Sequence, residues 1–122
     1  MGALYDYQIE SGRRVVDHVP EELLPMMREH FAATSATGYF HAAAGMRERR
    51  DTLAGLATFG APTLVLAGEA EDPGFIAGSR ELDACLPDSR FVLIEEAAHN
   101  PQFEAPHKLA EVILDFLASL PK

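Results

Sequence analysis

The sequence has few of the features that mark several broad classes of protein. Its 122 residues include a single cysteine, Cys85, which excludes an internal disulfide and favours a reducing, cytoplasmic setting. Only 10 residues are Lys or Arg against 19 Asp and Glu, so the net charge is −9. An acidic chain without a basic stripe argues against binding to nucleic acid or to anionic membrane surfaces. No apolar run reaches membrane-spanning length, and no signal peptide is visible at the N-terminus.

Two short apolar runs, residues 63–67 and 91–95, have the composition of buried strands. Residues 75–86 between them have a helical pattern that ends at Pro87. Residues 107–120 repeat apolar side chains at i, i+3, i+4, i+7, i+8 and i+11, which is the clearest helical pattern in the chain. We therefore predict strand, helix, strand and helix, with the two strands parallel and adjacent.

The N-terminal half is predicted to be helical. Pro20 followed by Glu21 and Glu22 is typical of a helix start, and apolar residues then recur at helical spacing as far as Phe31. Residues 39–50 form a second, alanine-rich helix candidate, and residues 1–18 are only weakly patterned.

A histidine, His99, stands just beyond the second apolar run, in the string Ala-Ala-His-Asn-Pro-Gln-Phe-Glu-Ala-Pro that ends at Pro106. About thirty residues upstream lies a second string, Ala-Pro-Thr-Leu-Val-Leu-Ala-Gly-Glu-Ala-Glu-Asp-Pro, which ends at Pro73. In this order and spacing the two strings resemble the C-terminal end of the α/β-hydrolases. In that family the penultimate strand delivers the acid of the catalytic triad and the last strand delivers its histidine. The resemblance covers the chain from about Gly38 to its end.

The resemblance implies a fold and a domain organisation. The fold class would be α/β, as the C-terminal part of an α/β-hydrolase fold. Residues 1–58 would be a cap-like helical segment, and residues 59–122 would be the C-terminal strand-helix-strand-helix segment of the hydrolase core. A complete enzyme of this type needs roughly twice this length.

The nucleophile of that family is missing from the sequence. α/β-Hydrolases place it in a Gly-x-Ser-x-Gly turn. No such turn is present, and no His-Gly-Gly-type oxyanion loop is present either. None of the serines has the flanking glycines: Ser11, Ser35, Ser79, Ser89 and Ser119.

The resemblance implies that His99 is the catalytic base, because a strand end before a helix is where open parallel sheets place their chemistry. The acid is ambiguous. The spacing Gly-x-x-Asp, counted from Gly68, arrives at Glu71, whereas the continuation Asp-Pro-x-Phe arrives at Asp72. We take Asp72 as the acid, with a one-residue insertion, and expect its carboxylate to lie closer to His99 than that of Glu71 or Glu69.

Other acidic residues near His99 receive structural interpretations. Glu104 precedes Pro106 and is predicted to favour a helix N-terminus. Glu95 and Glu96 with His99 form a Glu-x-x-His string, but a metal site of that kind needs a helix, whereas this string crosses a strand end. No metal or other cofactor is expected.

These observations favour a partial hydrolase of esters, lactones or related acyl bonds, with Asp72 and His99 as two triad members. The region from about residue 38 to 106 most resembles enol-lactonases and small carboxylesterases. The chain alone is expected to be inactive, and a second chain would supply the N-terminal half. The alternative is a non-catalytic interaction or oligomerisation module, including a self-associated dimer, because open strand edges invite pairing. A truncated gene product is a third interpretation.

Overall fold

The computed structural model describes residues 18–121, and the chain forms two compact units. The first unit ends at Asp51 and the second begins at Thr52. The predicted boundary between residues 58 and 59 and the cap-like character of the first segment stay predictions. The weakly patterned segment 1–18 lies, apart from His18, outside the described residues.

The described part of the first unit, residues 18–51, contains two helices. A 3₁₀ turn, Glu21–Leu23, leads into α1, Leu24–Ala33, and α2 follows at Ala36–Arg47. Helix α2 begins earlier than predicted because Ser35 caps it. The Ser35 hydroxyl oxygen accepts a hydrogen bond from the Gly38 N–H at 3.3 Å. The rings of Phe31 and Tyr39, one on each helix, meet edge to face with centroids 5.9 Å apart.

The second unit alternates helices and strands. Its elements are α3, Leu53–Leu56; β1, Thr63–Gly68; α4, Pro73–Cys85; β2, Ser89–Ile94; α5, Pro101–Glu104; and α6, Pro106–Ser119. The strands β1 and β2 pair in parallel, with Thr63 beside Ser89 and Gly68 beside Ile94. The predicted strand-helix-strand-helix order and the parallel pairing are therefore confirmed.

Helix α4 covers one face of the two-stranded sheet. The Ser89 hydroxyl at the start of β2 donates to the Asp83 carboxylate at 2.6 Å and also lies 2.9 Å from the Asp83 carbonyl oxygen. The Arg80 guanidinium lies 4.7 Å from the ring centroid of Phe91, which is a cation–π contact. These contacts fix the crossover helix against β2.

Helix α6 covers the opposite face and completes the core. Leu109 and Val112 pack on a buried cluster that is centred on Ile94, whose side chain is 1% exposed. At the edge of this face the Arg90 guanidinium pairs with the Asp115 carboxylate at 2.7 Å. The sheet is thus the middle layer of three, which explains why its strands are apolar on both faces. In the part of the chain described here, no helix is long and apolar enough to cross a membrane.

Candidate active site

The loops that follow β1 and β2 are joined at one end of the sheet. The Glu69 N–H donates to the Ile94 carbonyl at 2.9 Å, and the Ala70 N–H donates to the Ala97 carbonyl at 2.9 Å. Gly68 lies so close to the Ala97 and Ala98 carbonyl groups that a Cβ atom there would overlap both oxygens. Because parallel strands end at the same edge, the residues just beyond them meet here.

Glu71 and His99 form the central contact of this edge. Glu71 Oε2 lies 2.7 Å from His99 Nδ1, although the residues are 28 positions apart in the sequence. The Glu71 side chain is 14% exposed and the His99 side chain is 45% exposed. The other Glu71 oxygen, Oε1, accepts the N–H of Asp72 at 2.8 Å, which holds the carboxylate in place. A carboxylate that accepts from Nδ1–H leaves the lone pair of the ring on Nε2, which is the atom a catalytic base uses.

The prediction that Asp72 would be the carboxylate nearest His99 is wrong. Asp72 is the N-cap of α4, and its Oδ1 accepts the N–H of Gly74 at 2.7 Å. An Asp followed by Pro at the first helical position is a favoured helix start, and that use turns the carboxylate back toward its own helix. The spacing from Gly68 to Glu71 therefore needs no insertion. In the sequence, the preference of Asp-Pro for a helix start is the signal that could have distinguished the helix-capping acid from the acid that contacts His99.

Phe75, in the first turn of α4, contacts the histidine from another side. Its ring meets the His99 ring edge to face, with centroids 5.7 Å apart and an angle of 71° between the planes. The Phe75 side chain is 63% exposed, so it borders the site without closing it. Phe75 lies in the predicted helix 75–86, and the structure places its ring beside His99.

Glu104 holds the histidine loop, in a way that differs from its predicted role. Its Oε2 accepts the backbone N–H of Ala98 at 2.6 Å and that of Asn100 at 3.1 Å. The N-cap of α6 is Ala105, and no side chain caps that helix. The prediction that Glu104 contacts the N-terminus of the last helix is therefore wrong. Its carboxylate turns toward the histidine loop and contacts Ala98 and Asn100.

Glu95 and Glu96 point to Lys108 and not toward the histidine. Lys108 Nζ lies 3.0 Å from a Glu96 carboxylate oxygen and 3.3 Å from one of Glu95. The hydrogen bond that Lys108 donates to Glu96 is the main cause of a raised Lys108 pKa, and Glu95 adds to it. Within residues 18–121, no group of three or more His, Cys, Asp or Glu side chains could hold a metal ion.

Three of the described serines have hydrogen-bond partners other than His99. Ser35 caps α2, Ser89 bonds to Asp83, and the Ser119 hydroxyl donates to the Phe116 carbonyl at 2.6 Å. Cys85 ends α4, whereas the site lies at the start of that helix. A helix of this length separates its ends by roughly 18 Å at 1.5 Å per residue. The contact described above thus joins an acid, Glu71, to a base, His99.

One solved structure is similar to this fold. It is the crystal structure of BpoC from Mycobacterium tuberculosis, a protein assigned as a non-heme bromoperoxidase of α/β-hydrolase fold. The match has 29% sequence identity and a TM-score of 0.52 over 57% of this chain. The fold is that of part of an α/β-hydrolase. The match covers only 26% of the BpoC chain. No family model and no curated protein matches the chain.

Proposed function

We propose that this chain carries the acid and the base of an α/β-hydrolase that cleaves esters, lactones or related acyl bonds. The observation that supports this most directly is the 2.7 Å contact between Glu71 and His99 beyond two parallel strands. In the proposed reaction His99 Nε2 takes the proton of a nucleophile hydroxyl and later gives it to the leaving group. Glu71 orients the ring and stabilises the imidazolium.

The nucleophile and the oxyanion donors come from a second polypeptide that supplies the N-terminal half of the fold. Two features support this part of the proposal. The sheet formed by the described residues has two strands only, so the outer edge of β1 can accept a further strand. Helix α6 also keeps Leu114 and Leu117 exposed, at 65% and 54%, beside the face that packs on the sheet. A cytoplasmic setting fits the lone Cys85, a free thiol.

A non-catalytic interaction module is the second candidate, and the same surfaces favour it. Two parallel strands are fewer than an independent sheet normally needs, and an open edge can pair with another copy of the chain. In this alternative the contact between Glu71 and His99 is structural and the chain self-associates. The two candidates differ in whether His99 affects a reaction rate.

Complementation distinguishes these candidates. The chain is mixed with the N-terminal half of an α/β-hydrolase that contains Gly-x-Ser-x-Gly, and hydrolysis of a p-nitrophenyl ester is followed. We expect a rate that neither polypeptide gives alone and that His99→Ala and Glu71→Ala reduce strongly. His107→Ala is the matched control, because His107 is an exposed histidine on α6 and is not one of the two residues of this contact. Binding without turnover, or self-association with no binding, would favour the interaction module. Turnover by the isolated chain that disappears in His99→Ala would contradict the need for a second polypeptide.

A further inference from the structure

Glu104 is bonded to the backbone on both sides of the histidine. One carboxylate oxygen, Oε2, accepts the N–H of Ala98 at 2.6 Å and the N–H of Asn100 at 3.1 Å. These are the residues immediately before and after His99. The N–H of Asn100 belongs to the same planar peptide unit as the carbonyl of His99. This hydrogen bond therefore fixes the orientation of the peptide plane that follows the His99 Cα atom.

The short helix α5 keeps the Glu104 carboxylate at this position. The Glu104 N–H donates to the Asn100 carbonyl at 3.0 Å, and the Phe103 N–H donates to the same oxygen at 2.8 Å. Glu104 and Asn100 therefore bond to each other twice, once through the backbone and once through the side chain. This closed arrangement encloses Pro101, which also restricts the backbone of Asn100.

The opposite side of the histidine loop is fixed by the loop that carries the acid. The Ala97 carbonyl accepts the N–H of Ala70, the residue before Glu71. The segment from Ala97 to Asn100 is thus held by Ala70 on one side and by Glu104 on the other. Both supports act on backbone groups, so they determine where the His99 ring can lie.

The burial of Glu104 shows that this carboxylate is not an ordinary helix-end residue. Its second oxygen, Oε1, is buried and has no hydrogen-bond partner among residues 18–121. The neighbouring Ala97, Ala98 and Ala105 are buried as well. Placing a carboxylate oxygen in such surroundings is unfavourable, and buried polar atoms without partners are rare enough to need an explanation. The hydrogen bonds that Oε2 accepts from the N–H groups of Ala98 and Asn100 explain why the carboxylate is held in this position.

We propose that Glu104 is a positioning residue for His99. It fixes the loop so that Nδ1 faces Glu71 and Nε2 remains available to a reacting group. The catalytic consequence rests on the proposed function, whereas the positioning itself can be measured on the chain alone.

The test compares Glu104→Gln with Glu104→Ala and Glu104→Asp, with Glu111→Ala as the control on the exposed side of α6. A glutamine oxygen can accept the same two N–H groups, alanine accepts neither, and the shorter aspartate cannot span both. Nitrogen-15 NMR of the histidine ring reports which ring nitrogen carries the proton, and amide hydrogen exchange reports on Ala98 and Asn100.

We expect wild type, Glu104→Gln and Glu111→Ala to keep the proton on Nδ1. In Glu104→Ala and Glu104→Asp the ring should move toward a mixture of the two tautomers, with exchange at Ala98 and Asn100 faster by about tenfold or more. In a complemented enzyme Glu104→Ala should lower kcat by about 10- to 100-fold with KM nearly unchanged, and Glu104→Gln should restore it.

Two results would overturn the inference. One is a folded Glu104→Ala or Glu104→Asp protein whose His99 ring and loop amides match wild type. The other is a folded Glu104→Gln protein that loses the tautomer preference. The proposed function fails separately, because an inactive complemented enzyme with the expected NMR result removes the hydrolase proposal and leaves the role of Glu104 in place.

Discussion

Glu71 reaches His99 with one carboxylate oxygen, 2.7 Å from Nδ1, while its other oxygen accepts the N–H of Asp72. The two adjacent acids thus have separate tasks, since the Asp72 carboxylate accepts from Gly74 at the start of α4. One acid orients a histidine and the other begins the crossover helix.

This division of tasks predicts different effects for the two acids. Glu71→Ala should remove the preference of the His99 ring for the Nδ1–H tautomer, because the acceptor that stabilises it is gone. Asp72→Ala should leave the tautomer unchanged and destabilise the fold by about 1 kcal/mol, the usual effect of losing an N-cap side chain. Nitrogen-15 NMR and urea unfolding measure the two effects. A tautomer change in Asp72→Ala, with none in Glu71→Ala, would reverse the assignment.

Gly68 and Gly78 should respond to alanine in opposite directions. A methyl group at Gly68 overlaps the carbonyl oxygens of Ala97 and Ala98, so we expect Gly68→Ala to destabilise the fold by about 1–3 kcal/mol or more, as overpacking does. Gly78 lies inside α4 with open space around it, and alanine there should stabilise the helix by up to about 1 kcal/mol. Thermal or urea unfolding of both variants checks this. Equal stability of the two variants would mean that Gly68 does not approach the peptide as described.

The raised pKa of Lys108 predicts a pH dependence. Because the hydrogen bond that Lys108 donates to Glu96 is its largest cause, Glu96→Gln should lower the Lys108 pKa toward 10.5 more than Glu95→Gln does. A lysine whose pKa is higher in the folded state stabilises the fold below its unfolded pKa, and this contribution is lost as the pH rises through the folded pKa. Carbon-13 NMR titration of the Lys108 side chain measures the shift. A larger effect from Glu95 would contradict the order of the contacts.

The packing of α6 predicts a contrast between two apolar residues. Ile94 is 1% exposed at the centre of the core, so Ile94→Ala should destabilise the fold by about 2–5 kcal/mol. Leu114 is 65% exposed on α6, and Leu114→Ala should change the stability of the isolated chain by less than about 0.5 kcal/mol. Denaturant unfolding separates the two variants. A large loss of stability for Leu114→Ala would show that this side chain is already covered in solution.

The sequence was sufficient for the order of elements in the second unit, because apolar runs and helical periodicity are local properties. Strand β1 begins at Thr63 as predicted, and α6 begins at Pro106, within a residue of the prediction. The assignment of the acid failed because it depended on where two neighbouring carboxylates turn. That choice is made by the N-cap geometry of α4 and by a partner 28 residues away.

The role of Glu104 could not be predicted for a similar reason. Its position before Pro106 indicates a helix boundary, and helix boundaries usually use acids as caps. Here the boundary has a preceding turn, α5, that directs the side chain back toward Ala98 and Asn100. Nothing local in the sequence distinguishes those two destinations.

The parallel pairing of β1 with β2 has a consequence for how faithfully this chain assembles. A slip of one residue along a strand displaces everything beyond it by about 3.3 Å and exchanges the two faces of that strand. Such a slip would separate Glu71 from His99 and place the side chain of another residue against the Ala97–Ala98 peptide, where only Gly68 fits. The expected Nδ1–H signal of His99 would therefore be a spectroscopic marker of strand register. A population of chains that loses this signal while keeping its helical content would contain mispaired strands.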